Sequence, residues 1–250
     1  ATPMPKITKA QALVFAGNHG VCAQGVNPYP QEVTAQMVLN FQHGGAAINQ
    51  LCRTFAADLR GVPILLDKPT ADFTQGPAMT EAETLAAMET GAAAVDDDAD
   101  VLILGEMGIG NSTVAAALAA AYFGGTAENW VGPGTGSDPA GIARKCAAVG
   151  RGLALHQGRD ALETLSRLGG REQAAICGSI LAARTMRIPV ILDGFICTAA
   201  ASTLHILRGN LLDHCIVGHV SAEPGHRRLL SELGKQPVLA LDMRLGEGSG

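Results

Sequence analysis

Residues 100–125 read DVLILGEMGIGNSTVAAALAAAYFGG, and this stretch decides the fold. The apolar run at 101–105 has the length of a buried strand, and the Ala-rich run at 112–123 has the composition of a buried helix. A glycine turn joins them. At the start of a helix the backbone N–H groups are unpaired and the helix dipole is positive. The order of strand, glycine turn and helix therefore predicts a bound anion at the turn.

The same alternation continues along the chain. Further strands are predicted at 12–17, 62–67, 129–132, 188–194, 215–219 and 237–242, and helices at 31–58, 80–94, 112–123, 140–156, 171–186, 197–208 and 225–233. Strands that are apolar throughout indicate a sheet covered on both faces, and alternation with helices indicates parallel strands. We expect an α/β fold with a doubly wound, mainly parallel sheet, a Rossmann-like core. The absence of repeats and long linkers predicts one principal domain over residues 1–250.

Composition excludes several classes of partner. The net charge is −5, and the 18 Lys and Arg residues form no basic stripe, so a nucleic-acid partner is not expected. The longest apolar run, 114–125, is too short to cross a bilayer, and the first ten residues lack the apolar core of a signal peptide. We expect small-molecule ligands and no membrane contact.

Cysteine and histidine spacing predicts no metal site. The two closest of the six cysteines, Cys197 and Cys215, lie 18 residues apart, which excludes CxxC motifs. Such thiols are typical of buried positions in a reducing compartment. His214, His219 and His226 do not have the spacing of helical metal ligands.

Glycine-containing turns follow five of the predicted strands, at 17–20, 105–111, 193–195, 218–226 and 244–250. The carboxyl ends of parallel strands meet at one edge of a sheet, where ligands of such folds bind. The five turns therefore predict one shared site.

Within the turn at 105–111, Gly108 and Gly110 let an anion approach the backbone, and Asn111 and Ser112 add polar groups. A P-loop would require a lysine that this turn lacks. A dinucleotide fingerprint would require a third glycine and an acid that ends the next strand. Glu128 lies at about the right distance but precedes the apolar run at 129–132, so NAD binding is the alternative interpretation.

A second glycine turn, GPGTGSD at 132–138, leads into the helix that carries Lys145. Thr135 and Gly136 would add donors to the same anion, and Lys145 would add a positive charge. On its own, Lys145 is more typical of an exposed lysine on an amphipathic helix than of a phosphate ligand.

Over nearly its whole length the chain resembles a known family, nicotinate-nucleotide–dimethylbenzimidazole phosphoribosyltransferase. The motifs that carry the resemblance are, in order, VFAGNHGV, NPYPQEVTAQMVLNF, GGAAIN, GEMGIGNST, GPGTGSD, ARK, PVILDGF, HVSAEPGH and RLGEGSG. The resemblance implies a cytoplasmic homodimer that needs no metal or cofactor. It also implies transfer of phosphoribose from nicotinate mononucleotide to 5,6-dimethylbenzimidazole, which gives α-ribazole 5′-phosphate for the lower ligand of cobalamin.

Two departures from the family pattern are visible. Asn18 stands where the family usually has Asp. Family chains also carry helical segments before and after the region matched here, which form most of a small second domain. We expect residues 1–250 to be a catalytic core truncated at both ends relative to the family.

The resemblance implies roles for individual residues. Glu247 would be the general base, since a carboxylate against a flat apolar ring loses water and accepts a proton more readily. Glu106 would bind ribose hydroxyls or act as a second base, or would only pair with the helix start. Asp193 would contact ribose or cap the next helix. Gly108, Gly110, Thr135, Gly136, Lys145 and Ser221 would hold the 5′-phosphate, and Tyr29, Gln31, Met107 and Leu245 would surround the aromatic base.

Two other functions stay open on the sequence alone. An NAD-dependent oxidoreductase would bind a dinucleotide at the first glycine turn. A non-catalytic nucleotide-binding core would bind mononucleotide without converting it, because Glu247 lies three residues from the chain end and termini often fray.

Overall fold

The computed structural model of the chain describes Met4 and residues 6–158, 160–243 and 245–250. Arg244, the first residue of the last predicted glycine turn, lies outside this part, as does most of the N-terminal stretch before Lys6. The described residues form a six-stranded parallel sheet with the order β2-β1-β3-β4-β5-β6. The strands are β1 (Ala10–Ala16), β2 (Ala57–Pro63), β3 (Val101–Met107), β4 (Val190–Leu192), β5 (Cys215–His219) and β6 (Pro237–Leu239).

Helices pack on both faces of the sheet, which confirms the predicted α/β class. They are α1 (Glu32–His43), α2 (Ala47–Phe55), α3 (Glu81–Ala93), α4 (Asn111–Phe123), α5 (Pro139–Leu155), α6 (Ala161–Leu168), α7 (Arg171–Met186), α8 (Phe195–Leu207) and α9 (Pro224–Glu232). Helices α1 and α2 cover one face near β1, β2 and β3. Helices α7 and α8 pack on the opposite face, and α3, α4 and α6 form a further layer outside them.

Small residues let the helices of this second layer approach closely. A Cβ added to Gly91 in α3 would overlap the carbonyl oxygen of Ala175, and one added to Gly178 in α7 would overlap that of Met88. Helix α3 begins at a capping box, in which Thr80 accepts a hydrogen bond from the Glu83 N–H and the Glu83 carboxylate accepts one from the Thr80 N–H. The close crossing of α3 and α7 therefore depends on two glycines that meet backbone rather than side chains.

The prediction of one helix at 31–58 followed by a strand at 62–67 was wrong. Gly44, with a φ of 80°, ends α1 in the left-handed conformation, and α2 begins three residues later. Strand β2 starts at Ala57 and lies at the edge of the sheet, where Asp58 and Arg60 are exposed. An edge strand alternates polar and apolar residues, so a search for continuous apolar runs does not find it.

The predicted strand at 129–132 was also wrong. Residues Ala127–Asn129 form a 3-10 turn, and the apolar side chain of Trp130 is buried, with its indole N–H donating to the Gly124 carbonyl. Helix α6 was not predicted at all, although Asp160 accepts a hydrogen bond from the Glu163 N–H at its first turn.

The strand order places a crevice at the carboxyl ends of β1 and β3. Strand β1 lies between β2 and β3, so the chain leaves β1 towards one edge and continues from β3 towards the other. In doubly wound sheets this switch in direction opens the usual ligand site. Among the described residues, no helix is long and apolar enough to cross a membrane.

Candidate active site

The predicted anion cradle forms at the start of α4. Gly110 precedes the helix with a φ of 98°, a conformation that favours glycine. A Cβ on Gly108 would lie 2.6 Å from the Gly17 carbonyl oxygen, and a Cβ on Gly110 would lie 2.8 Å from the Cys22 sulfur. These glycines therefore also permit the turns after β1 and β3 to pack together, a purpose that the sequence did not reveal.

Lys145 reaches the cradle from α5. Its side chain is only 2% exposed, so the interpretation as a surface lysine was wrong. The Nζ atom donates to Ser112 Oγ at 3.2 Å and to the Gly132 carbonyl oxygen at 3.2 Å. Burial lowers the pKa of Lys145, and the nearby Glu223 carboxylate opposes that shift. A buried ammonium group beside a helix start is well placed to hold a phosphate.

The second glycine loop contributes through Gly134. A Cβ added there would lie 3.1 Å from Lys145 Nζ and 3.2 Å from Ser112 Oγ, so the loop backbone lies directly against both groups. The Gly134 N–H donates to Glu223 Oε1 at 2.8 Å. Thr135 and Gly136 are exposed on the same loop, and their role as phosphate ligands stays a prediction.

Ser221 lies after β5 and is held by His226. Both its N–H and its hydroxyl lie within hydrogen-bond distance of His226 Nδ1, at 2.9 and 3.0 Å. Burial, followed by the charges of His219 and Arg227, lowers the pKa of His226 to about 3, so this imidazole is neutral. Neutral Nδ1 accepts both bonds, which leaves Nε2 to donate to Thr198 Oγ1 at 3.2 Å. Ser221 therefore has to turn away from His226 before its donors can reach a phosphate.

Glu106 ends β3 directly before the cradle. Its carboxylate accepts a hydrogen bond from Asn111 Nδ2 at the helix start, as the simpler sequence interpretation held. Burial, followed by the negative charges of Asp193 and Glu172, raises the pKa of Glu106 to about 8, although the Asn111 bond opposes the shift. At neutral pH this acid therefore carries a proton, and the proton can be donated to a ligand.

A buried pair behind the cradle was missed by the sequence analysis. His19 Nε2 lies 3.0 Å from Glu172 Oε1, and both side chains are almost fully enclosed. The space that they occupy is left by glycines, because a Cβ at Gly108 would lie 3.0 Å from His19 Nε2 and one at Gly170 2.7 Å from Glu172 Oε2. The pair joins the turn after β1 to the start of α7.

Asp193, at the end of β4, pairs with His219 at the end of β5. Asp193 Oδ1 lies 3.4 Å from His219 Nδ1, and both side chains are largely buried. Helix α8 begins at Gly194 without a side-chain cap, so the expectation that Asp193 caps this helix was wrong. The pair points to the same strand-end edge as Glu106, and a contact of Asp193 with ribose stays a prediction.

Glu247 is anchored to the start of α2. Its Oε2 accepts a hydrogen bond from the Ala47 N–H at 3.0 Å, and its own carbonyl oxygen accepts one from the Ile48 N–H at 3.0 Å. The residue has a φ of 56°, and a Cβ on the following Gly248 would lie 2.7 Å from Ile48 Cδ1. At the end of the chain, Gly250 lies beside His219 and Asp193. The terminal segment thus runs across the carboxyl edge of the sheet and is held there.

The residues expected around the aromatic base are only partly brought together. Met107 packs against the apolar cluster that contains Ile48, so it lies on the same side as Glu247. Gln31 Nε2 donates to the His19 carbonyl oxygen at 2.5 Å, which ties it to the β1 turn. Tyr29 and Leu245 are 50% and 64% exposed, so in the described part of the chain they close no pocket. The aromatic-base pocket stays a prediction.

A second cavity lies outside the strand-end site. This cavity, of about 960 Å³, lies between the N-terminal turns of α3 and α6, away from the strand ends. Two arginines of its wall pair with carboxylates, Arg171 with Glu83 and Arg167 with Glu163, so these charges are already balanced by protein groups. Among the described residues, no group of three or more His, Cys, Asp and Glu side chains is placed to hold a metal ion.

Comparison with known proteins bears on this site. A model of a phosphoribosyltransferase family matches residues 1–250. Nicotinate-nucleotide–dimethylbenzimidazole phosphoribosyltransferase of Rhodobacter capsulatus is 68% identical over 250 residues, which are the whole of this chain and 75% of that protein. The protein of the same name from Ruegeria pomeroyi is 61% identical over 98% of this chain and 73% of its own length.

Solved structures agree in fold. A crystal structure of CobT from Thermus thermophilus superposes with a TM-score of 0.92 at 42% identity, over 98% of this chain and 80% of that one. A crystal structure of nicotinate-nucleotide–dimethylbenzimidazole phosphoribosyltransferase from the same organism superposes with a TM-score of 0.89 at 41% identity, over 98% and 79%. The chain therefore shares its fold with these two structures.

Proposed function

The chain belongs to the nicotinate-nucleotide–dimethylbenzimidazole phosphoribosyltransferase family, and from this premise we propose that it transfers phosphoribose from nicotinate mononucleotide to 5,6-dimethylbenzimidazole. The products are nicotinate and α-ribazole 5′-phosphate, the nucleotide of the lower cobalamin ligand. The chain is thus a glycosyltransferase that moves a phosphorylated pentose.

One observation carries the proposal. The buried Lys145 ammonium, Ser112 and the start of α4 form an anion cradle at the same sheet edge that Glu247 crosses. A phosphate held in the cradle would fix the ribose of the mononucleotide, and the carboxylate would face the incoming base. Holding two reactants in one geometry is the larger part of the catalytic work in such a displacement.

The chemistry needs one base. The attacking benzimidazole nitrogen forms a bond to the anomeric carbon as the bond from that carbon to the pyridinium nitrogen of nicotinate breaks. Nicotinate leaves as a neutral ring and needs no acid. The other benzimidazole nitrogen loses its proton, and we propose Glu247 as the acceptor, a contribution of roughly 10²–10⁴ in rate. Attack opposite the leaving group inverts the anomeric centre.

Glu106 and Asp193 would act on the ribose. Because Glu106 holds a proton below about pH 8, it can donate a hydrogen bond to a ribose hydroxyl or to the ring oxygen. Asp193, whose Oδ1 lies 3.4 Å from His219 Nδ1, can accept a hydrogen bond from a second hydroxyl. Gly108, Gly110 and Ser221 would complete the contacts to the phosphate once Ser221 turns from His226.

An NAD-dependent oxidoreductase is not favoured. The acid that would bind the adenosine ribose, Glu128, lies in an exposed 3-10 turn and does not end a strand. The dinucleotide fingerprint requires that acid at a strand end, on the ribose hydroxyls.

Chromatography measures the nicotinate released from nicotinate mononucleotide with and without added 5,6-dimethylbenzimidazole. Transfer predicts release that depends on the added base, with one α-ribazole 5′-phosphate formed for each nicotinate. Release without the base would indicate a hydrolase. Binding of mononucleotide without release would indicate a non-catalytic core.

We further propose that the chain works in the cytoplasm as one folding unit and pairs with a second copy. Its six cysteines are free thiols, which suits a reducing compartment. Ile216 and Val238, on the sheet strands β5 and β6, are 49% and 65% exposed, and such apolar surface is typical of a protein interface. Sedimentation equilibrium measures the mass of the assembly, and a monomer at all concentrations would contradict pairing.

A further inference from the structure

Glu223 is a buried acid that the proposed chemistry does not use. It precedes α9, where its Oε1 accepts the N–H of Gly134 at 2.8 Å. Its Oε2 is enclosed and has no hydrogen-bond partner in the described part of the chain. The loop backbone makes room for this carboxylate, because a Cβ on Gly132 would overlap Oε2. A buried carboxylate oxygen without a donor is costly, and such a group calls for an explanation.

The position of Glu223 relative to the anion cradle explains why this oxygen has no donor. Gly134, which Glu223 holds, lies against Lys145 Nζ and Ser112 Oγ, the two groups that would bind the 5′-phosphate. The phosphate of a mononucleotide carries a charge of about −2 above pH 7. Its arrival would place two anions around a single buried ammonium group. Two anions that share one ammonium group repel each other, and this repulsion favours protonation of one of them.

We propose that Glu223 takes up one proton from solvent when the 5′-phosphate binds. In the empty cradle the Glu223 carboxylate balances the positive charge of Lys145, and in the filled cradle the phosphate balances it. Glu223 is thereby a positioning residue of the phosphate subsite, an inference that rests on the proposed function. In the neutral acid, Oε1 still accepts the Gly134 N–H, and Oε2 carries the proton as a new donor. The loop therefore stays in place while the charge is exchanged.

Few other groups can account for such a proton. Burial raises the pKa of Glu223, and Lys145 from α5 opposes the shift. On its own helix lie Arg227, which is always charged, and His226, whose pKa of about 3 keeps it neutral. The loop at 133–137 and the helix start at 111–113 carry no titratable side chain. Glu106, with a pKa of about 8, is the one nearby acid that requires a control.

Isothermal titration calorimetry of the full chain measures the proton directly. Nicotinate mononucleotide is titrated at about pH 8, where its phosphate is already ionised, in two buffers that differ in ionisation enthalpy. Nicotinate riboside, which lacks the phosphate, is the control ligand. Because Glu106, with a pKa of about 8, would bind the ribose of both ligands, we expect the mononucleotide to take up about one proton more than the riboside. In Glu223→Gln this difference between the two ligands should disappear, and in Glu106→Gln it should remain.

The outcomes separate this inference from the proposed function. Mononucleotide binding with no more uptake than the riboside shows, or with an excess that persists in Glu223→Gln, would overturn the role of Glu223 alone. Failure of the unmodified chain to bind mononucleotide would overturn the phosphate subsite and the proposed function as well. If Glu223→Gln does not fold, a pH series on Glu106→Gln decides, because the titration of Glu106 near pH 8 is absent from that variant. The proposal requires the affinity for mononucleotide to weaken as the pH rises, by up to tenfold per pH unit, and an affinity independent of pH would contradict it.

Discussion

The largely buried position of Glu106 should lower the unfolding free energy of the chain as the pH rises, and replacing Glu106 tests this expectation. A carboxyl group whose pKa rises on folding binds its proton more tightly in the folded chain than in the unfolded chain. The unfolding free energy is therefore highest below the ordinary pKa of 4.5 and falls as the pH rises to about 8. The amide of Glu106→Gln keeps an oxygen that accepts from Asn111, and it cannot ionise. The unfolding free energy of the variant should therefore not fall with pH in this way.

The size of the effect follows from the two pKa values. Each pH unit between 4.5 and 8 costs the folded chain about 1.4 kcal/mol, so the loss approaches about 5 kcal/mol above pH 8. Because Glu106 keeps some exposure at the mouth of the site, we expect roughly half of this, or about 2–3 kcal/mol. Glu106→Gln should therefore equal the unmodified chain near pH 4.5 and exceed it by that amount near pH 8.5.

Urea denaturation followed by circular dichroism at several pH values measures this difference. Glu89→Gln, on the exposed side of α3, is the matched control and should leave the stability unchanged at every pH. A stability difference between Glu106→Gln and the unmodified chain that does not vary with pH would refute the assignment of a raised pKa to Glu106. The same variant should lose transfer activity, which would make Glu106 a site where function is kept at the expense of stability.

Three further predictions concern the scaffold and the two halves of the site. Gly91→Ala should lower the unfolding free energy by about 1–3 kcal/mol because its Cβ overlaps the backbone of α7, whereas Gly150→Ala, with open space around it, should be neutral or slightly stabilising in the same urea assay. Ala47→Pro should preserve the helix content, since proline suits a first helical position, but it removes the N–H that holds Glu247 and should slow nicotinate release about tenfold. Lys145→Met should raise the KM for nicotinate mononucleotide at least about tenfold with a smaller change in kcat, and equal KM values would contradict a phosphate contact.

The strand-end site was the part of the fold most visible in the sequence. The stretch at 101–123 combines a buried strand, a helix with no polar face and glycines between them, and each signal is local. Its structure matches the expectation within a residue or two. Strand β2 was missed because its residues alternate between polar and apolar, and helix α6 was missed because it is only eight residues long.

Long-range pairs could not be predicted from the residues alone. His19 and Glu172 are far apart in sequence, and no local pattern around either residue predicts their contact. Lys145 has the local pattern of an exposed helical lysine, and only the fold of α5 against the glycine loop buries it. Glu223 lay inside a recognised motif, but the orphaned oxygen that makes it informative exists only in three dimensions.

The rate of base-dependent nicotinate release by Glu247→Gln, set beside that of the unmodified chain, tests the central claim most directly. The amide keeps an oxygen that can accept the Ala47 N–H but cannot take a proton. The account predicts a rate at least roughly a hundredfold lower, with unchanged affinity for nicotinate mononucleotide. Equal rates for the two proteins would show that the benzimidazole proton leaves by another route and would contradict the account.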